Sequence, residues 1–548
     1  AVLNYINSAL QEIKLENNLM LNAEFNQLIS DTIKNEPAPF IYERIGEKYR
    51  YYFIDEMQDT SELQWQNIIP LIDNAISSEN EVGEKGKLLL VGDAKQSIYR
   101  WRGGKAEQFI DLSSKEKNKQ NNPFFVEKGL ENLSVNYRSF TEVIDFNNKF
   151  FQHVSQFLAN KSYSNLYFEG NNQEFNKNEG GFVQLSFVEK QKNIEEDEEN
   201  EPIYPKKVLE IINNLDASFQ KNEVCVLVRT RSQGVEVANY LSEKGIEIIS
   251  SETLLLKNSE KVRFIIDLLG VIQNPLNKEY KAQVLYFLFD YLKISEEKHQ
   301  FLSRFINLTN LEFFEELRVY NLFFSYNEFV QTPFYESIEF IIRSFGLAKE
   351  SDSNLQFFLD VVFEYQQKKE VSIHGFLEFW ELKKDKLSIV APEAKDAVRI
   401  MTIHKAKGLE FPVVIYPYDL NIYNQIKPKA WYSYNQSSPI KSVLVDYGKK
   451  LNYVGEQGVE LFDQQREELE LDNFNVLYVA LTRAAEQLYI ISEKNISLKN
   501  EENLSFTSGL FINYLKQQNL WESDKNEYYF GDSTRGNVTP KEGRKKQI

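Results

Sequence analysis

The chain has 548 residues, 42% hydrophobic and 14% aromatic, so it is globular and long enough for three or four domains with full cores. A single cysteine, Cys225, excludes internal disulfides, thiolate zinc sites and iron–sulfur clusters, and suits a reducing cytoplasm. The formal net charge of −18, taken over the whole chain, argues against a polyanionic ligand such as nucleic acid.

No apolar run is long enough to span a membrane, and the opening AVLNYINSALQEIK lacks the basic and apolar regions of a signal peptide. Residues 1–46 are predicted to be helical. Apolar positions recur at three- and four-residue spacing through Leu3, Ile6, Leu10 and Ile13, then Leu21, Phe25 and Leu28, before Pro37 and Pro39 interrupt them. From residue 50 the pattern changes. Tyr51–Ile54 runs into acids and Lys87–Val91 runs into Gly92-Asp93, as buried parallel strands of an α/β sheet do.

The Asn/Gly-rich stretch 169–181 suggests a linker, and the acidic run Glu195–Glu201 a solvated loop. Strands are expected at 182–188, 224–228 and 247–250, helices through 260–390, and strands again at 398–403, 413–416 and 487–491. A helical block that interrupts a resuming sheet pattern indicates one domain inserted into another.

Five segments carry candidate chemistry. Asp55-Glu56-Met57-Gln58-Asp59-Thr60-Ser61 follows a strand, at the mouth of an α/β sheet where ligands bind. There Asp55 could hold Mg²⁺ and Glu56 could polarise a water, although acids also favour a helix start without any such role. Residues 95–105 place Lys95, Arg100, Arg102 and Lys105 around Tyr99 and Trp101 with no acid among them, a composition suited to single-stranded nucleic acid. The bland alternative is a basic turn with a core tryptophan. Leu133–Ser139 is expected to be a strand ending in the pair Tyr137-Arg138. Val398–Phe411 reads as strand, basic loop and strand, with Arg399, Lys405 and Lys407 and no acid between 399 and 407. Asn475–Ala484 reads as an apolar helix carrying Arg483, and a lone helical arginine is ordinarily a surface ion pair.

In this order and spacing, DEMQDTS, VGDAKQSIYRWRGG, NYRS, TIHKAKGLEF and LYVALTRA resemble the later motifs of UvrD/Rep-type superfamily 1 DNA helicases. The stretches PFIYERIGEKYRYYFIDEMQDTSELQWQNIIPL and VLVRTRSQGVEVANYLSEKGIEIISSETLLLKNSEKV are more specifically similar to the RecB/AddA helicase–nuclease branch. The resemblance implies an α/β fold of two RecA-like parallel-sheet domains, of the P-loop NTPase type, with an inserted mainly helical domain. The first RecA-like domain would be incomplete. The implied boundaries are a helical tail at 1–46, the first RecA-like domain at 47–175, the second at 176–270 and 393–500, the insertion at 271–392, and an extension at 501–548.

By the same resemblance Asp55 holds magnesium, Glu56 aligns the attacking water, and Gln96 senses the γ-phosphate of ATP. Tyr137 stacks on adenine, Arg138 and Arg483 reach the γ-phosphate, and Glu410 contacts the ribose. On the DNA side Trp101 stacks a base with Tyr99 and Arg102 in support, and Thr402 and His404 contact the strand. The implied activity is ATP-driven 3′-to-5′ movement on single-stranded DNA in repair and recombination, in the cytoplasm, with a helicase–nuclease partner subunit.

A motor of this type needs a phosphate-cradling G-x-x-x-x-G-K-S/T loop. Gly83-Glu84-Lys85-Gly86-Lys87 and Gly103-Gly104-Lys105-Ala106 both fail the pattern. The loop is therefore expected upstream in a longer helicase, the alternative being a scaffold module that has lost it. Either way these residues alone are expected to lack ATPase activity. The tail after 495 has no carboxylate–lysine nuclease signature.

Overall fold

In the computed structural model the described residues are 2–35, 49–79, 82–114, 122–170, 172–189, 202–250, 255–348, 352–367, 371–387, 396–424, 429–433, 442–497 and 501–535. Pro37, Pro39 and the acidic run 195–201 lie outside them. The chain forms two compact units: Ala1–Phe219 with Glu223–Arg229 and Thr402–Ile548, and Gln220–Asn222 with Thr230–Met401. The strands in chain order are β1 (Tyr51–Ile54), β2 (Lys87–Leu90), β3 (Phe182–Val188), β4 (Val224–Val228), β5 (Ile248–Ser250), β6 (Val398–Thr402), β7 (Phe411–Tyr416), β8 (Lys429–Ser433), β9 (Ser442–Asp446), β10 (Ala484–Glu493) and β11 (Glu527–Gly531).

In the first unit β3, β10, β7 and β4 form a parallel set, and β11 adds antiparallel to the outer edge of β3. β4 is buried along its whole length, as its unbroken run VCVLV requires. Phe150 of the helix Thr141–Val154 stacks on Phe511 of the helix Thr507–Gln517 at 4.7 Å. Phe151 meets Tyr478 of the long helix Glu456–Leu481 at 5.1 Å. β1 and β2 form a separate parallel pair in the same unit. Their buried face packs against Met57, Trp65 and Ile72, the last two on the helix Glu62–Ser77. Unlike strands buried on both sides, they leave Tyr51, Phe53 and Leu89 exposed, and no third described strand pairs with them.

The second unit is mainly helical. β5 and β6 pair in parallel beside helices that run from Glu260 to Lys383 around a core of Phe264, Phe301, Phe313, Phe358 and Trp380.

The amino-terminal helices Val2–Glu16 and Asn22–Asn35 form as the periodicity predicts. Ile6, Leu10, Ile13, Phe25 and Leu28 are all exposed. Two further differences have local causes. Residues 133–138 are not a strand; only Val135 bridges, to Glu174. The Asn136 side chain accepts the N–H groups of Arg138 (2.9 Å) and Ser139 (3.0 Å), a turn that competes with extended pairing. Of the stretch 169–181, residues 172–181 form a tied strap. Gln173 accepts from the Asn136 side chain at 2.7 Å, and Asn176 donates to the Ser139 carbonyl at 2.9 Å. No described helix is long and apolar enough to cross a membrane.

Candidate functional site

All the sequence-predicted site residues belong to the first unit. Asp55 and Glu56 leave the end of β1 into the short turn Met57–Asp59. Glu56 adopts φ +53°, an uncommon conformation for a residue with a Cβ, and its N–H bonds the Asp55 carboxylate at 2.9 Å. The Met57 N–H reaches the Val91 carbonyl (3.1 Å), closing the turn onto the end of β2. Gln58 is buried and spans both loops: its amide donates to Glu56, and its oxygen accepts from the Asp93 N–H at 3.1 Å. A Cβ at Gly92 would stand 2.5 Å from the Gln58 oxygen, so a side chain there would displace that amide.

Lys407 arrives from the turn after the short helix Ile403–Ala406. Its ammonium bonds Asp59, donates to the Gln96 carbonyl at 2.8 Å and stands 3.6 Å from the Glu56 carboxylate. Burial raises the Asp59 pKa, against the pull of Lys407. Gln96 donates to Asp93 at 3.2 Å. Asp55, Glu56, Gln96 and a bridging cation thus meet where β1 and β2 end.

Arg483 contradicts the expectation of a surface pair. The helix stops at Leu481, and Arg483 folds back into the core with 1% of its surface exposed. Its guanidinium donates to the carbonyls of Val479 (2.9 Å) and Leu409 (3.3 Å) and to the Thr482 hydroxyl (3.1 Å). Burial, then the neighbouring Arg138, pushes its pKa down to about 10. No carboxylate bonds it among the described residues, while Glu56 and Asp93 lie within electrostatic range. Arg138 donates to Glu410 (3.1 Å) and the Thr482 carbonyl (3.3 Å), and Tyr137 beside it is 79% exposed.

The third group is aromatic. Trp101 is 69% exposed, not a core residue, and Arg102 lies over its ring at 4.6 Å. Tyr99 contacts the Trp101 ring edge-on at 6.3 Å and donates to the His404 carbonyl at 3.0 Å. Burial, then Arg229, lowers the His404 pKa to about 4, so the imidazole is neutral at pH 7. Thr402 precedes the short helix as its half-buried N-cap.

The cations of this loop do not all face outward as their sequence suggests. Lys95 is buried, bonding Asp93 (2.9 Å) and the Gly170 carbonyl (3.1 Å). Arg100 is saturated by Asp472 (2.8 Å) and Glu107 (2.8 Å), with Glu468 at 3.8 Å. Lys105 pairs with Glu62 at 2.6 Å. That leaves Arg102 as the loop's cation without a carboxylate among the described residues. The bridging role of Lys407 and the contacts of Asn475 escaped the sequence reading. A polar residue inside the apolar run FNVLYVAL was the available signal for Asn475.

The model of the UvrD-like helicase C-terminal domain matches residues 132–495, and that of the UvrD/REP helicase N-terminal domain matches residues 2–117. An ATP-dependent helicase/nuclease subunit from Bacillus pumilus is 25% identical over 521 residues, covering 86% of this chain and 41% of the relative. Its counterpart in Staphylococcus epidermidis is 26% identical, covering 84% and 40%, and that in Listeria innocua 26% identical, covering 85% and 41%. The chain therefore spans about two fifths of the length of these curated relatives.

Proposed function

The chain belongs to the UvrD-like helicase family, and from that premise we propose that it supplies the later motifs of an ATP-dependent 3′-to-5′ DNA helicase or translocase of repair and recombination. The observation that carries this reading is Arg483, a buried guanidinium with no carboxylate partner among the described residues, in electrostatic range of Glu56 and beside Arg138. Burying a cation without an anion is costly unless an anion arrives, and a triphosphate is the anion that an arginine pair and a water-orienting glutamate suit.

In this reading Arg138 and Arg483 hold the γ-phosphate, Gln96 senses it, Glu56 orients water, Glu410 holds the ribose and Tyr137 stacks the base. Asp55 suits magnesium, which takes one or two carboxylates together with phosphate oxygens, and its carboxylate is exposed at the strand end. Bound there, the ion would neutralise charge on the phosphates. Trp101, with Tyr99, Arg102, Thr402 and neutral His404, holds single-stranded DNA by stacking and phosphate contact. The two RecA-like domains and the boundaries given by the motifs belong to the same proposal. The word subunit in the relatives' name supports a helicase–nuclease partner subunit, and the cytoplasm as the place of action belongs to the same proposal.

The test is fluorescence anisotropy with labelled oligothymidylate. The chain is expected to bind it in a salt-sensitive way, and Trp101→Ala to weaken binding about tenfold, within the range measured for base–aromatic stacking. Equal affinity in that variant removes the stacking role. Since no phosphate loop is present in these 548 residues, the purified chain is expected not to hydrolyse ATP. DNA-stimulated, Glu56-dependent hydrolysis would overturn that statement.

A further inference from the structure

The helix Glu456–Leu481 carries Asp472 and Asn475 one turn apart, and together they hold both ends of the loop 94–100. Asn475 is fully buried. Its amide donates to the carbonyls of Ala94 (3.0 Å) and Ser97 (2.8 Å), on either side of Gln96, and its oxygen accepts from the Tyr167 hydroxyl at 2.5 Å. Only a side-chain amide offers two donors and an acceptor in that small a volume.

Asp472 grips the other end. Both its oxygens accept from the Arg100 Nε, at 2.8 and 2.9 Å. The remaining Arg100 nitrogens donate to Glu107 at 3.1 and 2.8 Å, and Glu107 also accepts from the Tyr163 hydroxyl. Arg100 immediately precedes Trp101. Nine residues beyond Asp472, about 14 Å along a continuous helix, the chain reaches Leu481 and then Arg483.

We infer that Asp472 and Asn475, with Arg100, are positioning residues that tie the DNA-stacking Trp101 and the phosphate-sensing Gln96 to the helix that leads into Arg483. None of them is among the residues proposed to touch the nucleotide or the DNA. They act because the loop is held at three points by one rigid element, so Gln96 and Trp101 move only together with that helix. The inference rests on the proposed helicase reading, because it needs Trp101 to contact DNA.

The experiment is a double-mutant cycle on the chain, read by anisotropy with oligothymidylate. Asp472→Asn is expected to weaken binding about fivefold in the parent background and less than about twofold when Trp101→Ala is also present. A loss that acts through Trp101 vanishes with it. Arg100→Lys keeps the charge but loses the fork, and should reproduce the pattern if Asp472→Asn folds poorly. Equal losses in both backgrounds, or no loss in either variant while Trp101→Ala still weakens binding, overturn the inference alone. No effect of Trp101→Ala overturns the DNA reading and the inference with it.

Discussion

Arg100 is half-buried and Arg483 buried, and their surroundings are opposite. Arg100 is met by Asp472, Glu107 and Glu468 and has its nitrogens committed to carboxylates. Arg483 is met by two carbonyls and a hydroxyl, with another arginine nearby. Burial disfavours both charges, yet the acids hold the Arg100 pKa above its ordinary value while that of Arg483 falls. The first has its counter-ions built in and acts as a clamp. The second has no carboxylate bonded to it among the described residues, which is the arrangement the proposed phosphate contact needs.

The comparison breaks most sharply on removal of each charge. Arg100→Met leaves the half-buried Asp472 and Glu107 without their cation, and with solvent screening allowed for should still cost about 2–3 kcal/mol of stability in urea unfolding. Arg483→Met removes a desolvated charge and strands no carboxylate. It should cost no more than about 1–2 kcal/mol, from the hydrogen bonds it made. Equal losses would mean that Arg483 has an unrecognised counter-ion and that the distinction fails. A sharper form adds pyrophosphate. It should raise the melting temperature of the parent chain by a few degrees and leave the Arg483→Met variant unmoved.

Sequence made one side of this contrast legible and not the other. The strand–loop sites at Asp55–Ser61 and Gly92–Arg102 could be placed because an apolar run ending in acids or cations is a local signal. The partners of Arg100 could not, since Asp472 is 372 positions away in the chain. The cations between 95 and 105 therefore looked like one basic patch, although Lys95 and Arg100 are spent internally. Periodicity located the helix before Arg483, but says nothing about how a residue just past a helix end turns. The strap at 172–181 shows a related limit. Asparagine and glycine compose a loose linker and a hydrogen-bonded brace equally well, and only the contacts of Gln173 and Asn176 distinguish them.

A smaller effect comes from His404, whose imidazole sits under the charges of Arg229, Arg102 and Lys407. Its folded pKa of about 4 lies below the unfolded value of about 6.5. The unfolded chain therefore binds the proton more readily between those values, and stability contributed by neutral His404 is present above pH 6.5 and lost as pH falls toward 4. The group is half-buried, so after allowance for solvent screening the loss is on the order of 1 kcal/mol. Unfolding midpoints measured from pH 7 to pH 4.5 should slope less steeply in His404→Asn. An unchanged slope would place the proton uptake elsewhere.

The smallest effect is expected at Lys105 and Glu62, which form an ion pair as short as those of Arg100 but with side chains about half exposed, at 50% and 48%. Water screens both partners and competes for both, so geometry that is decisive around Arg100 contributes little here. Lys105→Gln should shift stability by less than about 0.5 kcal/mol, and raising the salt concentration should erase even that. The same substitution also measures whether Lys105 meets DNA. If it faces the strand beside Arg102, oligothymidylate affinity falls and its salt dependence flattens by close to one counter-ion, with stability unmoved. If Glu62 occupies it in the complex as in the free chain, both stay constant, and Arg102 is the cation of this loop that meets the phosphates.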